Sequence, residues 1–423
     1  MTGPLRARTW ELPDAGALLD HLPAATAGVA WLQGDDGLVG WGEAARLGTD
    51  GPDRFADAER GVAALLADAE VEDEVGVPGT GVVTFGTFTF DARSTGSALV
   101  VPAVVVGRRG AAAWVTAVTA DGSVPVRPVL EPRTVTGDEA ADRPRYAGSS
   151  MPDVHWLEAV AGAVERIRDG ELDKVVLARD HAVWSRAPFD PRVLARRLNR
   201  RFPGCATFVV DGLVGATPEL LVRRFGPEVE SLALAGTARR GLDDAEDRRL
   251  GEALLASAKD RWEHELAATT VAEVLGPRCA TLEHPDGPEL LRLDNVMHLA
   301  TRFRGTLAAP AATSLELVGA LHPTAAVGGV PRDRAVELIR EVEGMDRGRY
   351  AAPVGWTDGD GDGEWGIALR CAELSGARAR LFAGAGIVAD SLPEDELEET
   401  RVKLRAMQSA FEAPDDLMPP RPG

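Results

Sequence analysis

Strand-like segments joined by short turns dominate the chain and limit the folds that it can adopt. Apolar residues alternate on both sides of the GDDG turn at 34–37 and flank the DGDGDG run at 358–363. Such pairs predict antiparallel hairpins. Helical patterns, such as those at 57–69 and 243–275, stand apart from the strand pairs, with no regular βαβ period and no internal repeat. The sequence therefore predicts an α+β fold with large, mainly antiparallel sheets.

The chain shows no clear domain boundary, but its residue composition changes along its length. The first part contains a predicted strand at 99–107 but no titratable groups gathered among glycines, so we interpret it as scaffold. The segment 131–150, rich in Pro, Asp, Arg and Gly, predicts a linker or long loop. Another predicted strand, at 213–225, lies after this segment, in the region that contains the candidate functional residues. The expected division is a β-rich N-terminal part of the same fold at 1–150, a catalytic region at 151–413 and a Pro-rich tail at 414–423.

Composition excludes several classes of partner. The 423 residues include 46 basic and 66 acidic side chains, a net charge of −20, which argues against nucleic acid or an anionic membrane. A small anionic substrate would need a local cationic pocket or a metal. Three widely spaced cysteines indicate neither a disulfide framework nor a zinc site. The longest apolar run, 98–106, is too short to cross a bilayer, and the N-terminus lacks an apolar signal core, so we expect a cytoplasmic location.

The stretch 370–403 combines an anion-binding pattern with charged side chains. It is predicted to form a strand, a tight glycine turn at 384–386 and a helix that starts near Pro393. Backbone N–H groups of such a turn can bind an anion. On the helix, Glu396 and Glu399 share a face with Lys403. An ordinary surface ion pair between Glu399 and Lys403 is the alternative interpretation of this spacing.

Two further residues are candidates for proton transfer. Lys174 lies in the apolar strand segment 173–184, where desolvation would lower its pKa and make a neutral amine available as a base. Glu219, in GATPELL, lies between apolar flanks and could be a general acid with a raised pKa. The alternatives are a lysine whose ammonium reaches solvent at the strand end, and a glutamate paired with Arg223 or Arg224.

Four carboxylates occur as two pairs with helical spacing. Asp260 and Glu263 lie three apart on one predicted helix, and Glu396 and Glu399 lie three apart on another. If the pairs meet, their charges require a hard divalent cation, and oxygen-only ligands favour Mg²⁺.

Histidine and the DGDGDG run are less specific signals. His298, in NVMHLAT, lies in a strand with Arg302 and could face a polar pocket, whereas His322 is more typical of a buried structural histidine. The run at 358–363 lacks the bidentate glutamate of a calcium loop, because Leu369 occupies that position, and it is interpreted as a hairpin turn.

Several motifs, taken in order, resemble those of the chorismate-utilising enzymes. They are KVVLAR from Lys174, GATPELL from Gly215, ALAGTARRG from Ala233, KDRWEHEL from Lys259, NVMHLATRFRG from Asn295, LHPTAAVGG from Leu321, GEWGIALRCAEL from Gly363 and RLFAGAGIVADSLPEDELEETRVKL from Arg380. The resemblance covers about 154–411 and is strongest to the isochorismate synthases. The first 150 residues are similar mainly through the WLQGDDGLVGWGEA hairpin.

The resemblance implies the fold of anthranilate synthase component I, with two large antiparallel sheets in a sandwich, surrounding helices and an active site in a cleft. It implies Mg²⁺ bound directly by Glu263 and Glu399, with Asp260 and Glu396 reaching it through water; the family usually has glutamate at the Asp260 position. Lys174 would activate water for attack at C2 of chorismate, and Glu219 would protonate the departing C4 hydroxyl. The groups expected to bind the substrate are Gly236, Thr237, His298, Arg370, Gly384, Ala385, Gly386 and Lys403.

The nucleophile separates the branches of this family. Relatives that form a covalent intermediate carry a reactive lysine just before the GT motif, where this chain has Ala235. Amide-using relatives tend to replace the base lysine, so Lys174 favours water and an isochorismate synthase. Salicylate synthases share both features and remain the alternative, as does a catalytically silent anion-binding relative. The resemblance implies no glutaminase subunit and a monomer or weak dimer, and it leaves open whether the product serves menaquinone or siderophore biosynthesis.

Overall fold

The computed structural model describes residues 4–23, 28–131, 144–293 and 296–412. Within these ranges the strands, numbered along the chain, are β1 (Arg6–Glu11), β2 (Gly28–Gln33), β3 (Asp36–Trp41), β4 (Ala45–Thr49), β5 (Glu70–Asp73), β6 (Val83–Thr87), β7 (Ser97–Val101), β8 (Val104–Arg109), β9 (Ala112–Thr119), β10 (Arg145–Gly148), β11 (Lys174–Trp184), β12 (Ala206–Val210), β13 (Leu213–Thr217), β14 (Leu220–Phe225), β15 (Glu228–Arg239), β16 (Cys279–Glu283), β17 (Glu289–Arg292), β18 (Val296–Leu307), β19 (Gly329–Val330), β20 (Pro353–Asp358), β21 (Gly363–Ile367), β22 (Cys371–Ser375) and β23 (Arg378–Ile387). The α-helices are α1 (Arg54–Leu66), α2 (Asp153–Arg168), α3 (Pro191–Arg201), α4 (Asp244–Ala256), α5 (Ala258–Leu275), α6 (Ser314–Leu321), α7 (Arg332–Val342) and α8 (Pro393–Glu412).

Two large sheets organise the described residues. The first has thirteen strands in the order β10-β11-β23-β22-β13-β12-β2-β3-β8-β9-β1-β5, with β19 beside β11. The second has ten strands in the order β16-β18-β15-β14-β21-β20-β6-β7-β4, with β17 beside β18. Neighbouring strands are antiparallel in both sheets, apart from the parallel pair β1 and β5. This confirms the predicted α+β class and the antiparallel sheets.

A shared apolar core joins the two sheets as a sandwich. Trp31 of β2 and Phe208 of β12, in the first sheet, belong to one buried cluster with Trp356 of β20 and Trp365 of β21, in the second sheet. The indole N–H of Trp31 crosses between the sheets and donates to Glu364 Oε2 at 3.0 Å. A second cluster packs α3 and α8 against the outer face of the first sheet. Strands β1–β9 are divided between the two sheets, so residues before 150 build part of the same sandwich.

Two segments predicted as single strands are each two strands, so those predictions are wrong. The segment 99–107 leaves the second sheet after β7 and enters the first sheet with β8, and the break falls at Pro102. The segment 213–225 passes from β13 in the first sheet to β14 in the second, and the break falls at Pro218. Proline has no N–H to donate to a ladder, so it suits a point where the chain changes sheets.

The predicted helix 243–275 is also divided, into α4 and α5. Ser257 between them has an extended backbone, with φ −65° and ψ 118°, and its hydroxyl accepts from the N–H of Asp260 at 3.2 Å. A serine at this position caps a new helix rather than continuing the old one. The predicted hairpin turn at 358–363 is confirmed, because it joins β20 to β21. Residues 132–143 of the predicted linker and the tail 414–423 lie outside the described residues. Helices of the described part are each too short or too polar to cross a membrane.

Candidate active site

One cavity brings together most of the residues singled out from the sequence. It lies between β11 and β23 of the first sheet, β15 and β18 of the second, and helices α5 and α8. The predicted residues that line it are Glu219, Gly236, Thr237, Glu263, His298, Arg370, Gly384, Gly386 and Lys403. The predicted residues outside this lining are Lys174, Asp260, Ala385, Glu396 and Glu399. All of these except Glu396 contact or neighbour a lining residue, and Glu396 contacts Lys259.

Lys174 is the first residue of β11 and is completely buried. Its Nζ lies 3.2 Å from Glu263 Oε1, which makes an ion pair. Apart from this ion pair, the Nζ has no hydrogen-bond partner among the described residues. The strand therefore holds an ammonium or amine group beside the cavity with donor and acceptor capacity left over.

The glycine triplet 384–386 is part of a strand and not a tight turn, which corrects the prediction. It lies inside β23, and each residue pairs with one of β11, from Gly384 opposite Ala178 to Gly386 opposite Val176. Because side chains alternate across a strand, Gly384 and Gly386 face the cavity while Ala385 is buried in the core. A Cβ added at Gly386 would lie 2.0 Å from Glu263 Oε1. The glycines thus make room for neighbouring side chains.

Glu219 lies at the crossover from β13 to β14 and is 4% exposed. Burial raises the pKa of its carboxyl to about 8, although the charges of Lys174 and Lys403 act in the opposite direction. The carboxyl is thus mostly protonated at neutral pH and can donate a proton into the cavity.

A buried network connects His298, Arg370 and the Gly236–Thr237 bulge. Arg370 Nη2 donates to His298 Nε2 at 2.9 Å. Because Nε2 accepts, we assign the ring proton to Nδ1, which lies 3.2 Å from Thr237 Oγ1 and 3.3 Å from the carbonyl oxygen of Gly236. Burial, with the charge of Arg370, lowers the pKa of His298 well below its usual value, so the ring is neutral. The neutral imidazole therefore orients the Arg370 guanidinium at the cavity wall.

Gly236 and Arg370 both have backbone conformations of the left-handed region. Gly236 has φ +71° at a bulge of β15, and a Cβ there would lie 3.1 Å from Asp260 Cβ. Arg370, with φ +46°, adopts a conformation that is uncommon outside glycine. Strained backbone at a non-glycine residue is concentrated at functional sites.

The carboxylate pairs of α5 and α8 lie near each other, because the charges of Glu396, Glu263 and Glu399 all act on Lys259. The two carboxylates of α8 each accept a hydrogen bond from an ammonium group. Lys403 Nζ donates to Glu399 Oε1 at 2.6 Å and to the carbonyl oxygen of Gly384 at 3.0 Å. Lys259 Nζ donates to Glu396 Oε1 at 2.6 Å. Burial, with the charge of Glu399, raises the pKa of Glu396 to about 7.

These carboxylates suit a hard cation, although they do not enclose one. Among the described residues, no three Asp, Glu, His or Cys side chains converge closely enough to form a ready metal site. The donor set is nevertheless all oxygen, as Mg²⁺ prefers, and burial, followed by the charge of Glu263, raises the pKa of Asp260. A divalent cation would relieve this concentration of negative charge, so the residues fit Mg²⁺ by their chemistry.

Several lining residues were not found from the sequence. Tyr350, Phe382 and Val327 line the cavity, and the rings of Tyr350 and Phe382 stack at 4.9 Å. Tyr350 is one of two tyrosines in the chain, which could have marked it as a candidate. His322 is buried outside this lining, where its Nε2 lies 3.0 Å from the carbonyl oxygen of Phe90, as predicted for a structural histidine.

Known proteins with similar sequences and folds identify the family of this chain. The family model described as chorismate binding enzyme matches residues 29–412. The chain is 38% identical over 410 residues to the salicylate biosynthesis isochorismate synthase of Pseudomonas aeruginosa, covering 90% of this chain and 84% of that protein. It is 45% identical over 267 residues to isochorismate synthase DhbC of Bacillus subtilis, covering 60% of this chain and 67% of that protein. The solved structure of the menaquinone-specific isochorismate synthase MenF of Escherichia coli superposes with a TM-score of 0.76 at 26% identity, covering 97% of this chain and 95% of that chain.

Proposed function

Because the chain belongs to the chorismate-binding enzyme family, we propose that it is an isochorismate synthase, in which water adds at C2 of chorismate and the C4 hydroxyl is lost. The observation that carries the proposal is that Lys174, a buried lysine with no hydrogen-bond partner in the part of the chain that the structure describes, lies near enough to the buried, protonated carboxyl of Glu219 for its charge to act on that group. Attack by water needs a base, and departure of hydroxide needs an acid. The product would supply menaquinone or siderophore biosynthesis.

In the proposed reaction, Lys174 as a neutral amine accepts a proton from water while the water oxygen bonds to C2. The ring double bonds shift, the C4–O bond breaks, and the Glu219 carboxyl gives its proton to the leaving hydroxyl. Water is consumed and released, so chorismate and product are isomers. The two protein groups have then exchanged protonation states and must be reset through solvent before the next turnover.

Cationic and neutral donors around the cavity suit a dicarboxylate. The Arg370 guanidinium, oriented by neutral His298, and the Lys403 ammonium are placed to bind carboxylate groups. Arginine and lysine provide the strong, charge-assisted hydrogen bonds that such ligands favour. This local positive charge offsets the net charge of −20, which would otherwise repel a dianion.

We assign Mg²⁺ to the face formed by α5 and α8. Glu263 and Glu399 would bind it directly, with Asp260 and Glu396 reaching it through water. Bound there, the cation would neutralise a substrate carboxylate and the surrounding acids. The shorter arm of aspartate at position 260 suits a contact through water.

The test is incubation of the purified protein with chorismate and MgCl₂, with products separated by chromatography and a parallel reaction containing EDTA. We expect a mixture of chorismate and isochorismate, and loss of turnover on chelation. Salicylate with pyruvate would instead indicate a salicylate synthase. Binding of chorismate with no product would indicate a silent relative. The variant Glu219→Gln, which retains the shape of the side chain but has no acidic proton, is the control for contaminating activity.

A further inference from the structure

The chain contains only three lysines among its 46 basic residues, and all three lie at the carboxylates of the proposed metal site. Lys174 contacts Glu263 at 3.2 Å, Lys259 contacts Glu396 at 2.6 Å and Lys403 contacts Glu399 at 2.6 Å. Every other basic position is arginine. This distribution indicates that a lysine, and not simply a positive charge, is required at each of the three places.

Lys259 is the one that the proposed reaction does not use. It lies in the first turn of α5, its side chain is 31% exposed, and it reaches inward to Glu396, whose side chain is 2% exposed. Glu263 and Glu399 are also close enough for their charges to act on it. Its ammonium therefore places a positive charge within the group of four carboxylates and compensates part of their negative charge.

We propose that Lys259 competes with the divalent cation for Glu396, and thereby limits the affinity of the site for Mg²⁺ before chorismate binds. The inference rests on the metal site of the proposed function. An oxygen of Glu396 that accepts a short hydrogen bond from an ammonium group is less available to a hydrated cation, and the ammonium repels that cation. A weak site favours joint binding of Mg²⁺ with the substrate, which brings carboxylates of its own.

The chemistry of lysine explains why arginine is absent from this position. An ammonium is a compact, strongly hydrated charge on a flexible stem, and it can leave a carboxylate for solvent at modest cost. A guanidinium would hold Glu396 through two parallel hydrogen bonds and would compete more strongly. The proposal therefore predicts an order of Mg²⁺ affinity among variants, with Lys259→Met tightest, the natural protein intermediate and Lys259→Arg weakest.

The size of the effect follows from the charge. Even with the dielectric constant of water, removing a unit charge about 6 Å from a divalent cation tightens binding by about tenfold, and the burial of Glu396 makes about tenfold the lower limit of the expected effect. Methionine retains most of the aliphatic stem, and the partial exposure of Lys259 makes the substitution compatible with folding, which circular dichroism verifies.

The experiment is calorimetric titration of MgCl₂ into the natural protein, Lys259→Met and Lys259→Arg, without chorismate and then with it. We expect the stated order, with the largest differences when chorismate is absent. Equal or weaker binding by Lys259→Met, in a protein whose natural form binds Mg²⁺, would overturn this inference alone. If none of the three proteins bound Mg²⁺ even with chorismate, the proposed metal site would be wrong and the inference with it.

A second measurement follows Lys259 directly. Protein labelled with ¹³C at the lysine ε carbon contains three labelled side chains, and the Lys259→Arg spectrum identifies the signal of Lys259. Saturation with Mg²⁺ should shift this signal as the ammonium leaves Glu396. A Lys259 signal that does not move at saturation would show that the ion pair persists, and would contradict competition.

Discussion

The raised pKa of Glu219 predicts a specific pH dependence of stability that can be measured without substrate. Between its usual pKa of 4.5 and the value of about 8 in the folded protein, the folded state holds a proton that the unfolded state has lost. The free energy of unfolding therefore falls as pH rises, by up to about 1.4 kcal/mol per pH unit. Over the whole interval this one buried carboxyl costs about 5 kcal/mol.

The substitution Glu219→Gln removes this titration while conserving shape. The free energy of unfolding of the variant, minus that of the natural protein, should be smallest below pH 4.5 and should increase as pH rises to 8. This is because only the natural protein must keep a buried acid protonated or ionise it. Urea unfolding followed by tryptophan fluorescence at pH 5, 6, 7, 8 and 9 gives the difference at each pH. Most other titrating groups cancel in the comparison.

Glu158→Gln is the matched control, because Glu158 is exposed on α2. Its difference from the natural protein should stay nearly constant over the same pH series. If the Glu219→Gln difference were equally flat, Glu219 would not be a buried acid that is protonated at neutral pH. Its assignment as the proton donor would then lose its physical basis.

Three further substitutions test the site and its support. Gly386→Ala should weaken both Mg²⁺ binding and turnover, because the added Cβ would lie 2.0 Å from Glu263 Oε1; calorimetry and initial rates check this, and unchanged values would contradict the close approach. Lys174→Met should lower turnover by at least about a hundredfold, as expected for loss of a general base, with chorismate affinity retained in equilibrium dialysis; an active variant would exclude Lys174 as the base. Arg347→Met should destabilise the fold by about 3–5 kcal/mol in urea unfolding, because it leaves Glu343 buried and unpaired; the double variant with Glu343→Met should recover part of this loss, and no recovery would assign the cost to packing instead.

The Glu343–Arg347 pair shows what sequence patterns could not predict. The Arg347 guanidinium donates to the carbonyl oxygens of Val176 and Val327, and Glu343 accepts from the N–H of Ala178. The pair thus satisfies part of the edge of β11 between β19 and β10, where no strand of the described residues pairs with it. Its partners lie up to 171 residues away in the chain. Periodicity reports which residues are buried, but it contains no information about such distant partners.

Sequence patterns predicted correctly those elements that depend on neighbouring residues in the chain. The alternation of β11, the hairpin at 358–363 and the helix that begins at Pro393 follow from neighbouring residues, and the structure contains all three. The predicted turn at 384–386 is wrong because glycine permits a turn but does not require one. Its pairing with β11 depends on contacts across the sheet, and the space it leaves is filled by Glu263 from α5.

The proposed acid Glu219 and the proposed substrate-binding Arg370 occupy equivalent places in the fold, which strand alternation alone could not predict. Glu219 lies where the chain passes from the first sheet to the second, and Arg370 lies where it passes back, between β21 and β22. The two crossovers bond to each other, because Ile367 N–H donates to the Glu219 carbonyl at 3.2 Å and Ala216 N–H donates to the Arg370 carbonyl at 3.2 Å. At a crossover the chain leaves its ladder, so a side chain is free to enter the cleft between the sheets. Because these backbone hydrogen bonds join the two crossovers, a shift of one crossover would also move the other, and the bonds therefore constrain the distance between Glu219 and Arg370.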